Sequence, residues 1–292
     1  MRALACLAVL ALAGCQPHTP AAESPQDWWI AFNSMRSGDG DIYAIHPETR
    51  QLREVVVSPA PEGGVRYDAA RDRVVFHRFD SEETPILNTL DAVLFADPEG
   101  GVPLQWSPDG HTVAYTQIID DVRTLFLANT DLSDARPVPN GGASDNYPIF
   151  SPNADRLAFV RRLEGGSDIH ILNLQTRQIE RVTRLEAYIG HPGWSPDGTR
   201  LVFDTFVGEE VEIATVDIAT GEVAVVAERP GYDLNPTWSP DGRLIAWAGG
   251  SEEGFDIYAV ELATGEIRKL TEHPANDAGP AFIPASALRF QD

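Results

Sequence analysis

Lysine is almost missing from this chain of 292 residues: Lys269 is the only one, and 22 basic residues stand against 44 acidic ones for a formal net charge of −22. A surface of that sign repels phosphate backbones, which argues against nucleic acid as a partner and leaves cations and cationic proteins. Cysteine is as scarce. Both copies, Cys6 and Cys15, lie near the start, so no disulfide can staple the body of the chain. The one long apolar run follows Arg2 and is too short to cross a bilayer as a helix. Catalytic signatures are missing too. Ser195 has Asp197 where a nucleophile turn needs its second glycine, and there is no Walker loop, zinc-type cysteine pair or His-Glu-x-x-His. A calcium loop starting at Asp39 fails at Arg50, where a glutamate is required.

What is present begins with an export signal. Arg2, the apolar run and the box Leu12-Ala-Gly-Cys15 resemble a bacterial lipoprotein signal, which implies cleavage after residue 14 and lipidation of Cys15. Gln16 in the following position implies the outer membrane, facing the periplasm. Two or three acyl chains on such a cysteine would anchor the protein stably. Residues 15–27, rich in proline and small residues, read as an extended tether of about 40 Å at most.

Repeats dominate the remainder. The pentapeptide Trp-Ser-Pro-Asp-Gly occurs at 106–110, 194–198 and 238–242. Aligned on its aromatic, Trp106, Phe150, Trp194, Trp238 and Phe282 follow one another at 44 residues, and Tyr67 precedes Trp106 by 39. Residues 28–292 number 265, close to six units of 44. Each unit holds an aromatic strand start, a turn, an apolar run, a strand such as Asp-Ile-Tyr and a mixed last strand. Four strands in that length is one propeller blade. The expected fold is therefore all-β: a six-bladed β-propeller of four-stranded antiparallel blades over residues 28–290. The first unit lacks its innermost strand, which residues near 280–284 would supply, so both chain ends would close one blade. In the irregular unit after Tyr67, the frame puts a third strand at Ile86 to Leu90, with an alternative start at Asp91. The aromatics Tyr67, Trp106, Phe150, Trp194, Trp238 and Phe282 should pack between blades, which makes the pentapeptide a joint.

Residues 238–274, from Trp238 through the Asp-Ile-Tyr strand to Pro274, resemble a repeat of TolB-type propellers, and residues 30–55 resemble the same repeat without its first strand. The resemblance implies a propeller that binds protein partners in the cell envelope rather than an enzyme. TolB-type proteins carry an α/β domain before the propeller, for which residues 1–27 leave no room.

The candidate site lies in the loops leading to the innermost strands. Asp145, Asp233, Asp277 and Glu62 each stand five residues before the aromatic, and Tyr147, His191 and Asn235 stand three before it. In a ring these positions would make one mouth acidic and able to contact a partner or cation. His191 and His273 with an acid could hold a metal, and a lyase-like carbohydrate enzyme or a small-ligand protein is the rival reading. The expectation is nevertheless no metal, no cofactor and a monomeric propeller with an envelope protein as partner.

Overall fold

The computed structural model describes residues 28–79, 85–89, 93–96, 104–251 and 253–290. Cys15, the signal and the tether lie outside the described residues. The described chain runs as β1 (Trp28–Ser34), β2 (Asp41–Ile45), β3 (Leu52–Val56), β4 (Glu62–Asp68), β5 (Arg73–Phe79), β6 (Pro85–Thr89) and β7 (Val93–Ala96). Then come β8 (Gln105–Trp106), β9 (Thr112–Ile119), β10 (Val122–Asn129), β11 (Arg136–Pro137), β12 (Asp145–Phe150), β13 (Arg156–Leu163), β14 (Gly166–Asn173) and β15 (Ile179–Arg181). The last third holds β16 (Ile189–Trp194), β17 (Arg200–Val207), β18 (Glu210–Asp217), β19 (Val223–Ala227), β20 (Tyr232–Trp238), β21 (Leu244–Ser251), β22 (Gly254–Glu261), β23 (Glu266–Lys269) and β24 (Asp277–Pro284). Among the described residues the one helical element named is a short turn at Ala285–Ala287, and no helix is long and apolar enough to cross a membrane.

These strands form antiparallel four-stranded units. Sheet I has the order β24-β1-β2-β3, sheet II is β4 to β7, sheet III is β8 to β11, and sheet IV is β12 to β15. Sheets V (β16 to β19) and VI (β20 to β23) are joined by a single parallel pair, Val211 with Tyr232. In sheet I the last strand pairs with the first, Phe282 opposite Ile30 and Ile283 opposite Trp29. In the irregular unit the third strand starts at Pro85 and the fourth is short, so the 44-residue frame holds and the Asp91 register does not.

Among the described residues these units pack in sequence. The first strands β8, β12, β16, β20, β24 and β4 lie side by side in that order. Apolar clusters join each sheet to the next: Phe76 of sheet II meets Trp29 and Ile283 of sheet I, Phe150 and Phe159 of sheet IV meet Leu125 of sheet III, and Trp247 of sheet VI meets Val202 of sheet V. Sheet I also meets sheet VI, through Phe32 and Ile257. The second strands are apolar without alternation because both of their faces are covered in this way.

The repeated aromatics are the rivets of that packing. Phe150, Trp194, Trp238 and Phe282 are buried, and Tyr67 and Trp106 are partly so. Trp194 donates its indole N–H to the Ile149 carbonyl of sheet IV, and the Arg156 guanidinium covers its ring. Burying a side chain of this size contributes about 2–3 kcal/mol.

The pentapeptide after the aromatic is a self-contained turn. In the Trp194 copy, the Gly198 N–H donates to the Ser195 carbonyl, and Asp197 accepts from the Ser195 hydroxyl at 2.6 Å and the Thr199 N–H at 3.0 Å. Gly198 takes φ 69°. The Trp106 and Trp238 copies repeat the pattern, with Asp109 held by Ser107 and Asp241 by Ser239. The serine hydroxyl and the backbone hold Asp109 and Asp197 below the usual carboxylate range. The side-chain polar groups here serve the turn, and the Gly198 carbonyl accepts from Arg156 of sheet IV.

Candidate functional site

At the opposite end of each sheet, where its first strand enters, the geometry is less economical. First strands in five units carry a bulge, seen as a register shift at the position three before the aromatic. The residue there has positive φ in every case: Gly64 at 63°, Tyr147 at 51°, His191 at 38°, Asn235 at 56° and Gly279 at 63°. The matching residue of sheet III, 103, is outside the described residues. Glycine takes this conformation freely, and asparagine and histidine tolerate it, but tyrosine does so rarely, at a cost of order 1 kcal/mol or more. Sheets IV, V and VI therefore each place a large side chain where sheets I and II place none.

The acids expected to line an open mouth are buried instead. Glu62, Asp145, Asp233 and Asp277 are 3%, 0%, 1% and 0% exposed. Their position directly opposes the second strand, which covers the carboxylate. A buried charge is tolerated only with a partner, and the chain supplies one each time. Asp145 accepts from Arg161 through both oxygens at 2.7 and 2.8 Å. Glu62 accepts from Arg78 and Ser58. Asp277 accepts from Arg36 and Ser34. Asp233 accepts from Arg229 at 2.8 Å. Burial still pushes Asp145 and Glu62 above the usual carboxylate range and lifts Asp233 to about 6. Sequence reading missed these pairs, although Glu62 with Arg78 and Asp145 with Arg161 stand at one spacing and in direct register.

Sheet V breaks the pattern. Ile189 replaces the acid and faces Thr205 where the arginine would be. One residue away, Asp204 opposes Gly190, at a position that holds His77, Val160 or Ala248 in other sheets. Fully buried, Asp204 accepts from the Asn235 N–H at 3.0 Å through Oδ2, and His191 Nδ1 lies 2.7 Å from that oxygen. Its Oδ1 has no hydrogen-bond partner and would sit 2.3 Å from a Cβ at Gly190. The His191 ring lies against Tyr147, centroids 4.4 Å apart, and burial and the Tyr147 hydroxyl raise the Tyr188 phenol above its ordinary value. Tyr147, His191 and Asn235 are thus brought together around Asp204, which sequence reading did not single out.

A second carboxylate of the same sheet leaves an oxygen without a partner, as Glu62 Oε2 does in sheet II and Asp233 Oδ2 in sheet VI. Glu212 Oε2 has no partner; burial, with the charge of Asp233 adding to it, lifts Glu212 to about 7. The acids that begin the third strands of sheets IV and VI are satisfied: Thr183 and Arg181 donate to Asp168, and Thr271 and Lys269 to Asp256. In sheet V, 44 residues after Thr183, stands Ala227.

Exposed large hydrophobic side chains concentrate at this entry end. Met35, Ile118, Ile119, Phe206 and Val207 crown the hairpins between second and third strands, and Tyr147, Tyr188 and Tyr232 stand on the entry segments. The others among the described residues, Leu52, Leu132, Val225 and Ile267, belong to fourth strands or the hairpins leading to them. His273 is exposed there too, its Nδ1 accepting the Ala275 N–H, and no group of three or more His, Cys, Asp or Glu among the described residues is placed to hold a metal.

Repeated four-stranded units riveted by aromatics, with a bulge in the first strand at the entry end, define a propeller-type repeat protein. The sequence model described as PD40, the TolB beta propeller domain, matches residues 99–205 and 186–291, and the chain belongs to that family. It is similar to a protein described as "Protein TolB homolog" from Chlorobium luteolum, 29% identical over 161 residues; the match takes in 51% of this chain and 35% of the relative. Among solved structures it is similar to TolB from Acinetobacter baumannii, with a TM-score of 0.75 at 16% identity over 89% of this chain and 67% of that one. The putative TolB from Agrobacterium tumefaciens gives a TM-score of 0.65 at 16% identity, covering 87% and 91%.

Proposed function

We propose that the protein is a lipid-anchored, six-bladed propeller of the bacterial cell envelope, without enzymatic activity, whose entry end docks a protein partner. Six four-stranded units, side-by-side first strands, apolar clusters between successive sheets and the β24–β1 pair support a closed ring over residues 28–290. The signal-like start supports export and attachment through Cys15 to the outer membrane, facing the periplasm. One observation carries the binding role: the exposed aromatic and aliphatic side chains gather at the entry end, on strained backbone at Tyr147. Exposed apolar groups with aromatic anchors mark protein interfaces.

The binding contact moves from the acids to these side chains. Asp145, Asp233, Asp277 and Glu62 support the entry loops from beneath, so charge reversal there would test folding rather than docking. A photoreactive residue in place of Phe206 should trap a discrete partner in intact envelopes, while one in place of Ala219, at the turn end, should trap none. Equal trapping from both ends, or none from Phe206, would contradict the reading. Cys15→Ala should release the protein from the membrane fraction.

A further inference from the structure

Between sheets IV and V, at the entry end, lies a cavity of about 640 Å³, large enough for a small organic ligand. Val160, Leu163 and Ile189 give it an apolar wall, and the rings of Tyr147 and Tyr188 frame it. Arg162 is its one charged lining residue. Unlike Arg161 beside it, which is taken up by Asp145, Arg162 is exposed, and among the described residues no ion pair or hydrogen bond engages its guanidinium. The acids of neighbouring segments, Glu164 and Glu186, are exposed and do not line the cavity.

The aromatic frame is set in advance. Tyr147 is fixed at positive φ and backed by His191, which Asp204 holds in turn. Such preorganisation removes the ordering cost that a ligand would otherwise meet. A free guanidinium beside two tyrosine rings and an aliphatic wall selects a planar anion on an apolar body, because arginine matches a carboxylate with two parallel donors. We propose that this cavity binds a small carboxylic acid with an aromatic or aliphatic body, either as a free acid or as the C-terminal residue of a peptide. The site reverses the charge preference that an acidic mouth would have had. It needs no protein partner, so its failure leaves the docking role untouched.

Calorimetric titration of the purified protein tests it with 3-phenylpropionate and 3-phenylpropylamine, which share a body and differ in charge. The acid should bind at least ten-fold more tightly than the amine. Arg162→Gln should abolish that preference without moving the melting temperature, and Tyr188→Ala should weaken the acid. The peptide Gly-Gly-Phe distinguishes the sources: tighter binding than phenylpropionate indicates a chain terminus, and weaker binding a free acid, each upholding the site. Equal affinity for amine and acid, a preference that survives Arg162→Gln, or no saturable binding of either probe would overturn it.

Discussion

Sheets IV and V are built from the same repeat, yet one closes its polar accounts and the other does not. In sheet IV, Asp145 has both oxygens on Arg161, and Asp168 is held by Thr183 and Arg181. In sheet V, Asp204 and Glu212 are as deeply buried, and each leaves one oxygen without a partner. The repeat frame explains the contrast: Ile189 and Thr205 replace the acid and arginine, and Ala227 replaces the threonine. A buried carboxylate with an orphan oxygen costs stability, so folding alone would have favoured the sheet IV solution. Ile189 lines the cavity and Asp204 holds His191, which backs Tyr147, so these two departures fall where a binding site would need them.

The largest expected effect comes from breaking the satisfied sheet. Asp145→Ala leaves Arg161 as an uncompensated charge, largely buried, and should cost about 3–5 kcal/mol in urea unfolding. The mirror experiment, at Glu212 of sheet V facing the charge of Asp233 in sheet VI, should have the opposite sign. Glu212 and Asp233 have folded-state values of about 7 and 6, above those of the unfolded chain. The folded state therefore holds protons that the unfolded state has released, so stability is greatest below about pH 4 as far as these groups are concerned and declines as pH rises through 7. Glu212→Gln should flatten that decline and raise the urea midpoint at pH 8, with little change at pH 4.

Smaller effects sharpen the comparison. Gly190→Ala puts a Cβ on Asp204 and should cost about 1–3 kcal/mol. In an Asp204→Ala background, which restores the small apolar residue that sheet VI has at Ala248, the new Cβ still meets the Tyr188 hydroxyl at 3.0 Å but the same change should cost less by about 1 kcal/mol, a coupling that a double-mutant cycle reads directly. Smallest is Asp197→Ala in the turn. It loses local hydrogen bonds only, at about 1 kcal/mol, and should leave partner trapping unchanged.

Much of this was legible in the chain. The 44-residue frame located the strands, and it chose between two registers of the irregular unit because a slipped strand would have had to give up its outer partner. The joint role of the pentapeptide could be read from Pro, Asp and Gly, whose preferences are local. Burial was not legible: Asp145 and Glu62 occupy loop-like stretches, and only the arginine at a matching spacing, Arg161 or Arg78, hinted that strand pairing would enclose them. The strain at Tyr147 was hidden because φ leaves no mark on a tyrosine, although Gly64 and Gly279 in the same frame were a signal. Asp204 was missed because its importance comes from two other strands, Gly190 on one and Asn235 on the next. The cavity joins two units, so no single repeat reveals it.

The central claim is that the entry end sacrifices economy for binding, and Tyr147→Asn tests it most directly. Asparagine accepts the positive φ but removes the ring, so stability should stay within about 0.5 kcal/mol of the native protein. Partner trapping from Phe206 should be measured in this variant in intact envelopes. A fall of ten-fold or more with the fold intact is the predicted result, and undiminished trapping would contradict the account.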